Sequence, residues 1–178
     1  MQQIVPPRNV TAMPISTFRL RKATDADIGF LTHVLLISNQ ERYGKHPGWD
    51  ADDFCRAMTD DTSAQIAGNV PDSMTYVITH DDADVGRLRL VTTTAVIEIA
   101  GLQVLPKHQN RGLGTAVINF VLERAARSGI PVELEVESDN PDARRLYERL
   151  GFSGVGEPAG GRQKMVCRTD SGATRNRV

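Results

Sequence analysis

The sequence predicts an α+β domain, a central mixed, mostly antiparallel sheet flanked by about four helices. Three observations predict it. Met74 to Thr79 and Val85 to Thr93 are β-branched runs on either side of the turn His80-Asp81-Asp82-Ala83-Asp84, which reads as an antiparallel hairpin. Ala95 to Val104, a helical stretch from Thr115 to Ser128, and Val132 to Val136 make a strand–helix–strand unit, the one parallel step. Asn140 to Gly151 is a short helix whose two ends are both written in the sequence.

In chain order, residues 1–16 hold three prolines and little periodicity and read as an irregular arm. Phe18 to Arg21 alternates and reads as a first strand. Thr24-x-x-Asp27 is a helix-starting cap. Ile28, Leu31, Val34 and Leu35, with Ser38, make an apolar stripe, so a helix is expected over Asp25 to Asn39. The segment Tyr43 to Trp49 breaks it, and Asp50 caps a second helix through Phe54, Ala57 and Met58. Alternation in Ala95 to Val104 is disturbed near Gly101, which predicts a bulge. The next helix carries Val117, Ile118, Val121, Leu122 and Ala125 on one face and stops at Ser128-Gly129. Phe152 to Val155 and Lys164 to Cys167 read as a closing strand pair around a mobile loop, 156–161. One domain over 17–168 and a frayed polar tail over 169–178 complete the reading.

Composition narrows the function. A chain of 178 residues is most simply one domain, and 40% hydrophobic residues allow a substantial core. A formal net charge of −1 supplies no global field for nucleic acid or an anionic membrane, so neither is an expected partner. Met1 to Pro14 has no apolar core of signal-peptide length, and no apolar run approaches a membrane span. Cys55 and Cys167 are far apart and belong to no Cys/His cluster, which fits neither a disulfide scaffold nor a metal centre. A cytoplasmic protein without a metal is the expectation.

The chemistry starts at Leu105-Pro106-Lys107-His108-Gln109-Asn110-Arg111-Gly112-Leu113-Gly114-Thr115, between a strand and an amphipathic helix. A turn that opens a helix leaves backbone N–H groups without intrahelical partners, and the helix dipole adds positive potential there, so the turn can seat a phosphate or pyrophosphate. Glycines at 112 and 114 remove the Cβ atoms that would hold an anion off the backbone. Arg111, Arg124 and Arg127 are nearby cations. The dinucleotide fingerprint is excluded, because Gly114 is followed by Thr115, Ala116 and Val117 instead of a third glycine at the required spacing. The triphosphate loop is excluded too, because no Gly-Lys-Ser/Thr is present.

What remains, Gln109-x-x-Gly112-x-Gly114, resembles the coenzyme A pyrophosphate loop of the GNAT (GCN5-related N-acetyltransferase) family. A second segment strengthens the resemblance. In Asn140-Pro141-Asp142-Ala143-Arg144-Arg145-Leu146-Tyr147-Glu148-Arg149-Leu150-Gly151-Phe152, Asn140 caps, Pro141 suits the first helical position, and Ala143, Leu146, Tyr147 and Leu150 share one face. The pattern Asn-x-x-Ala-x-x-Leu-Tyr-x-x-x-Gly-Phe is similar to the family's second acetyl-CoA motif, and the two motifs occur in the family's order. The resemblance is strong over Val96 to Phe152 and weaker over Arg19 to Leu36.

The resemblance implies the acyl-CoA N-acyltransferase fold, acetyl-CoA as cosubstrate with no metal, and acetyl transfer to an amine. The acceptor would be a small amine, an amino acid, or a peptide or protein amine, and a homodimer is common in the family. Leu102, Gln103 and Val104 match the splayed strand whose amides meet the pantetheine arm and the thioester oxygen. Gln109, Asn110, Arg111, Gly112, Leu113, Gly114 and Thr115 match the pyrophosphate loop, and Asn140 the pantetheine contact. Tyr147 matches the general acid that protonates the departing thiolate, and its phenol, with an ordinary pKa near 10, stays protonated at neutral pH.

The base is open. Glu98 lies inside the apolar run Ala95-Val96-Ile97-Glu98-Ile99-Ala100, where a carboxylate is costly unless it faces water or a partner. It either acts as the base or faces solvent. Glu135 and Glu137 are reserve candidates on a strand face. Tyr43, His46 and Trp49 form an aromatic loop that would border the acceptor, with Trp49 either stacking on it or plugging the core. His33 reads as structural. Competing classes are a non-catalytic acyl-CoA sensor and an interaction protein with a vestigial pocket.

Overall fold

The computed structural model describes residues 18–168, and the expected arm (1–16) and tail (169–178) lie outside them. Seven strands form one sheet: β1 (Phe18–Lys22), β2 (Ser73–His80), β3 (Ala83–Thr92), β4 (Ile97–Val104), β5 (Val132–Glu137), β6 (Ser153–Gly154) and β7 (Arg162–Cys167). Four α-helices accompany them: α1 (Ile28–Tyr43), α2 (Ala51–Ile66), α3 (Leu113–Ser128) and α4 (Pro141–Arg149). The spatial order is β1-β2-β3-β4-β5-β7-β6, and every pairing is antiparallel except β4 with β5. The expected single parallel step is there, with α3 as its crossover.

The apolar periodicity explains both faces. One side of the sheet packs Leu88, Leu90, Ile97, Ile99 and Leu134 against Val117, Ile118, Val121 and Ala125 of α3. Each such Leu, Ile or Val side chain, fully buried, contributes roughly 1.5–3 kcal/mol. The other side carries a smaller cluster in which Leu31 of α1 and Val77 of β2 meet Ala23, Phe30 and Ile66.

The irregularities of β4 position the site. Arg89 pairs with Gly101 and Leu90 with Ile99, so Ala100 is an extra residue, the bulge anticipated near Gly101. An extra residue bends its strand. Pairing with β5 runs only from Ile97↔Val132 to Ile99↔Leu134, and beyond the bulge the two parallel strands part. Gly101 also makes room underneath: a Cβ there would lie 2.8 Å from Nη1 of Arg87. Arg87 is 4% exposed and donates to Oε1 of Gln65 at 2.9 Å and to Oε1 of Gln103 at 3.3 Å. Burial lowers its pKa to about 10, which still leaves it charged at neutral pH.

Several boundaries differ from expectation for local reasons. The first helix opens with a 3-10 turn, Asp25–Asp27, because the Asp27 carboxylate accepts from the Thr24 N–H at 2.8 Å and pairs with Arg21. It ends at Tyr43 instead of Asn39, where the Gly44 N–H caps Gln40 O. β4 starts at Ile97 instead of Ala95, because Thr93 Oγ1 accepts from both the Ala95 and Val96 amides in a turn. α3 starts at Leu113 instead of Thr115, with the left-handed Gly112 before it and the Leu113 side chain in the core. β6 keeps two residues, since Phe152 turns into the core, and β7 starts at Arg162 instead of Lys164.

Candidate active site

The turn after β4 folds as its glycines dictate. Gly112 has φ 77° and serves as N-cap of α3, and Asn110 is also left-handed at φ 57°. The Gly112 carbonyl takes the Ala116 N–H, so the amides at the helix start have no carbonyl within the helix to reach. A Cβ at Gly112 or Gly114 would project into open space, and that space is the mouth of a cleft of about 570 Å³. Gln109, Asn110, Gly112, Leu113, Gly114 and Thr115 line it, facing Asn140 at the N-cap of α4 and Leu146 and Tyr147 within that helix. The Gln109 side chain donates to Val104 O at 2.8 Å and so fixes the turn to the end of β4. Arg111, Arg124 and Arg127 are not among the lining residues; the cations there are Arg145 and Arg149. These two are four apart on α4, a spacing that marks them as neighbours on one helix face.

The open edge of β4 supplies backbone donors. The Leu105 N–H bonds to Val85 O across β3. Backbone polarity alternates along a strand, so Gln103 also faces β3, while Leu102 and Val104 face the gap left by β5. Gln103 instead contributes its side chain, which holds Arg87.

A second cavity, about 490 Å³, lies on the α1 side of the gap. Its lining is polar: Ser38, Asn39, Arg42 and Tyr43 from α1, Arg89 from β3, Glu98 and Gln103 from β4, Glu135 and Glu137 from β5. Leu102, Asn140, Ala143 and Tyr147 line both cavities and stand at their junction. Asn140 Oδ1 is taken by the Ala143 N–H at 3.1 Å, which caps α4 and leaves its amide group at the junction. Burial raises the Tyr147 pKa, so the phenol keeps its proton at neutral pH.

The predicted acceptor residues separate. Tyr43 lines the polar cavity and donates to Glu137 Oε1 at 2.5 Å. His46 is exposed and Trp49 packs on Phe54, with ring centroids 4.9 Å apart; neither lines this cavity. His33 is exposed on α1. Glu98 is half-buried in the wall, with no ion pair among the described residues. Arg42, Arg89 and Arg162 escaped the sequence reading, because nothing in their local spacing sets them apart from ordinary surface arginines.

Next to the turn, both ring nitrogens of His108 are shielded and unpartnered among the described residues. Burial, then Lys107 and Arg111, depresses its pKa, so the ring is neutral at pH 7.

Comparison with known proteins places this geometry. The sequence profile of the acetyltransferase (GNAT) family matches residues 34–152. A mycothiol acetyltransferase of Beutenbergia cavernae is 34% identical over 129 residues, which cover 69% of this chain and 41% of that protein. An uncharacterized N-acetyltransferase of Methanocaldococcus jannaschii is 45% identical over 58 residues, 32% of this chain and 26% of that protein. The chain thus spans well under half the length of these curated relatives. Among solved structures, the PaiA N-acetyltransferase of Thermoplasma acidophilum in complex with coenzyme A superposes with TM-score 0.71 at 18% identity, over 85% of this chain and 99% of that one. YncA of Salmonella typhimurium with its cofactor acetyl-CoA gives 0.57 at 20% identity, over 89% and 98%. The seven-stranded mixed sheet with its four helices is the acyltransferase fold of these structures, and the chain belongs to the acetyltransferase (GNAT) family.

Proposed function

We propose that the protein is an N-acetyltransferase that moves the acetyl group of acetyl-CoA directly to a primary amine, both substrates being bound together. The observation that carries this reading is the junction: Tyr147, Asn140 and Leu102 line both the phosphate-loop cleft and the polar cavity. A diphosphate on the amides of Gly112 to Thr115, aided by Arg145, would send the thioester end along the open edge of β4 to that junction. Acetyl-CoA supplies an activated acyl group there, and the chain does the rest. Holding amine and thioester side by side gives the proximity gain. Glu98 takes the ammonium proton, directly or through a water, so that the nitrogen can attack. The Leu102 N–H donates to the developing oxyanion. As the nitrogen–carbon bond forms, the carbon–sulfur bond breaks, and Tyr147 gives its proton to the leaving sulfur. Tyr43 borders the acceptor, with His46 and Trp49 shaping the loop behind it. A single catalytic domain over 17–168 and a cytoplasmic setting belong to the same reading. Among the described residues no helix is long and apolar enough to cross a membrane.

Acceptors named for relatives and neighbours point to amines of several kinds. One neighbour of TM-score 0.64 is a spermidine N-acetyltransferase chimera, and another of 0.63 is a ribosomal protein acetyltransferase with coenzyme A. The test is calorimetry with acetyl-CoA and free coenzyme A, followed by thiol release against a broad amine panel. Binding with release on one amine class is the expected result. Binding without any release would favour an acyl-CoA sensor, and no binding would overturn the reading.

A further inference from the structure

We infer that the acceptor is an amine that also carries a carboxylate, its ammonium held by Glu98 and its carboxylate by Arg89; this rests on the acetyltransferase reading above. The polar cavity is lined by three carboxylates, Glu98, Glu135 and Glu137, and three guanidiniums, Arg42, Arg89 and Arg162. Most of that charge is already matched within the protein. Arg42 pairs with Glu137 and Asp139. Arg162 lies 3.6 Å from Glu135 and 3.9 Å from Glu137. Two groups are left over, Glu98 and Arg89: neither has an ion pair within 4 Å among the described residues, and Lys164, which acts on Glu98 through space, is itself bound to Glu133.

The register places these two on one side of the sheet. Glu98 stands opposite Val91, and Arg89 is two residues before Val91 on the same strand. They share a cavity wall without bonding to each other. Arg89 donates its Nε to Ser73 Oγ at 3.0 Å, which anchors the guanidinium and leaves both terminal nitrogens free. Two parallel N–H donors are what a carboxylate accepts in its strongest geometry. Arg87, buried behind on β3 with Asp61 of α2 acting on it through space, adds positive potential to the same wall.

A purely cationic acceptor fits poorly. Its extra ammonium groups would find the acidic side chains at 135 and 137 already engaged and would meet Arg89 unscreened. A zwitterion completes both unmatched charges at once. In the transfer step the ammonium loses its proton to Glu98, the nitrogen–carbon bond forms as the carbon–sulfur bond of the thioester breaks, the thiol leaves with the Tyr147 proton, and the carboxylate on Arg89 takes no part.

Thiol release is measured on matched triplets, each an amino acid, its carboxamide and the amine lacking the carboxyl group, covering α- and ω-amino acids. The wild type, Arg89→Gln and Arg89→Lys are compared, with acetyl-CoA binding followed calorimetrically on the same samples. The wild type is expected to favour the carboxylate member at least tenfold in kcat/KM. Arg89→Gln should remove most of that ratio through KM, and Arg89→Lys should restore part of it. Carboxamides or decarboxylated amines used as well as the amino acids would overturn the inference. So would acetyl-CoA binding with no turnover of any carboxylate-bearing amine. The wild-type ratios decide even if a variant fails to fold. Absence of acetyl-CoA binding would overturn the proposed function itself.

Discussion

The phenol of Tyr43, the last residue of α1, donates to Glu137 at the end of β5 across 94 residues of sequence. Arg42 binds the same carboxylate, so the polar cavity is closed on this side by a three-residue latch. Glu137 and burial together raise the Tyr43 pKa, which keeps the donor proton in place well above neutral pH.

Tyr43→Phe should therefore leave Glu137 with only its arginines and loosen the latch. Acetyl-CoA affinity should hold within about twofold while the acceptor KM rises, on the order of tenfold for one charge-assisted hydrogen bond. Steady-state kinetics with each substrate varied in turn checks it. An effect confined to acetyl-CoA would remove Tyr43 from the acceptor side.

Tyr147→Phe should lower kcat by about 10²-fold with little change in acetyl-CoA affinity, the loss expected of one general acid. Because burial raises the Tyr147 pKa above its ordinary value of 10.0, its acid form persists through pH 9. Any alkaline loss of kcat due to this group lies above pH 10. Equal losses in binding and turnover would make Tyr147 a packing residue.

Gly112→Asp places a side chain in the open mouth of the cleft at φ 77°, and its charge opposes an anion. Strain at a left-handed position is about 1–2 kcal/mol. Acetyl-CoA affinity should fall at least tenfold, read by calorimetry, with thermal stability recorded in parallel. Unchanged affinity would remove the turn from phosphate binding.

Asp27 tests stability apart from catalysis. The Arg21 hydrogen bonds hold its pKa down to about 2, against 3.8 for a free carboxyl. A depressed carboxylate pKa stabilises the fold at pH above 3.8, and that contribution is lost as the pH falls through about 2. Asp27→Asn should cost roughly 1–2 kcal/mol at neutral pH, a modest value because Arg21 is partly exposed. Urea midpoints of the two proteins should converge at the acid end. A constant gap at every pH would assign the loss to packing.

The legible parts of this protein are those written over short stretches. The β2–β3 hairpin, the bulge near Gly101, the glycine turn into α3 and the Asn140–Gly151 helix depend on residues within a few positions of one another. Propensity, capping and backbone permission operate over that range, so these elements carry their signals in the sequence itself. Two of the boundaries that moved did so where a side chain reached beyond that range. Asp27 turned to Arg21 and tightened a helix start, and Leu113 entered the core and began α3 early.

The pairing of charges belongs to the tertiary structure alone. Arg89 and Glu98 share a wall because β3 and β4 take one register with Ala100 left over, and Glu137 meets Tyr43 because β5 runs parallel to β4. No periodicity encodes a partner nearly a hundred residues away. By itself the sequence determined the glycine turn that opens α3 and the short helix that faces it. Sheet order, register and the parting of β4 from β5 decided what stands around the polar cavity, because only they bring distant side chains to one surface.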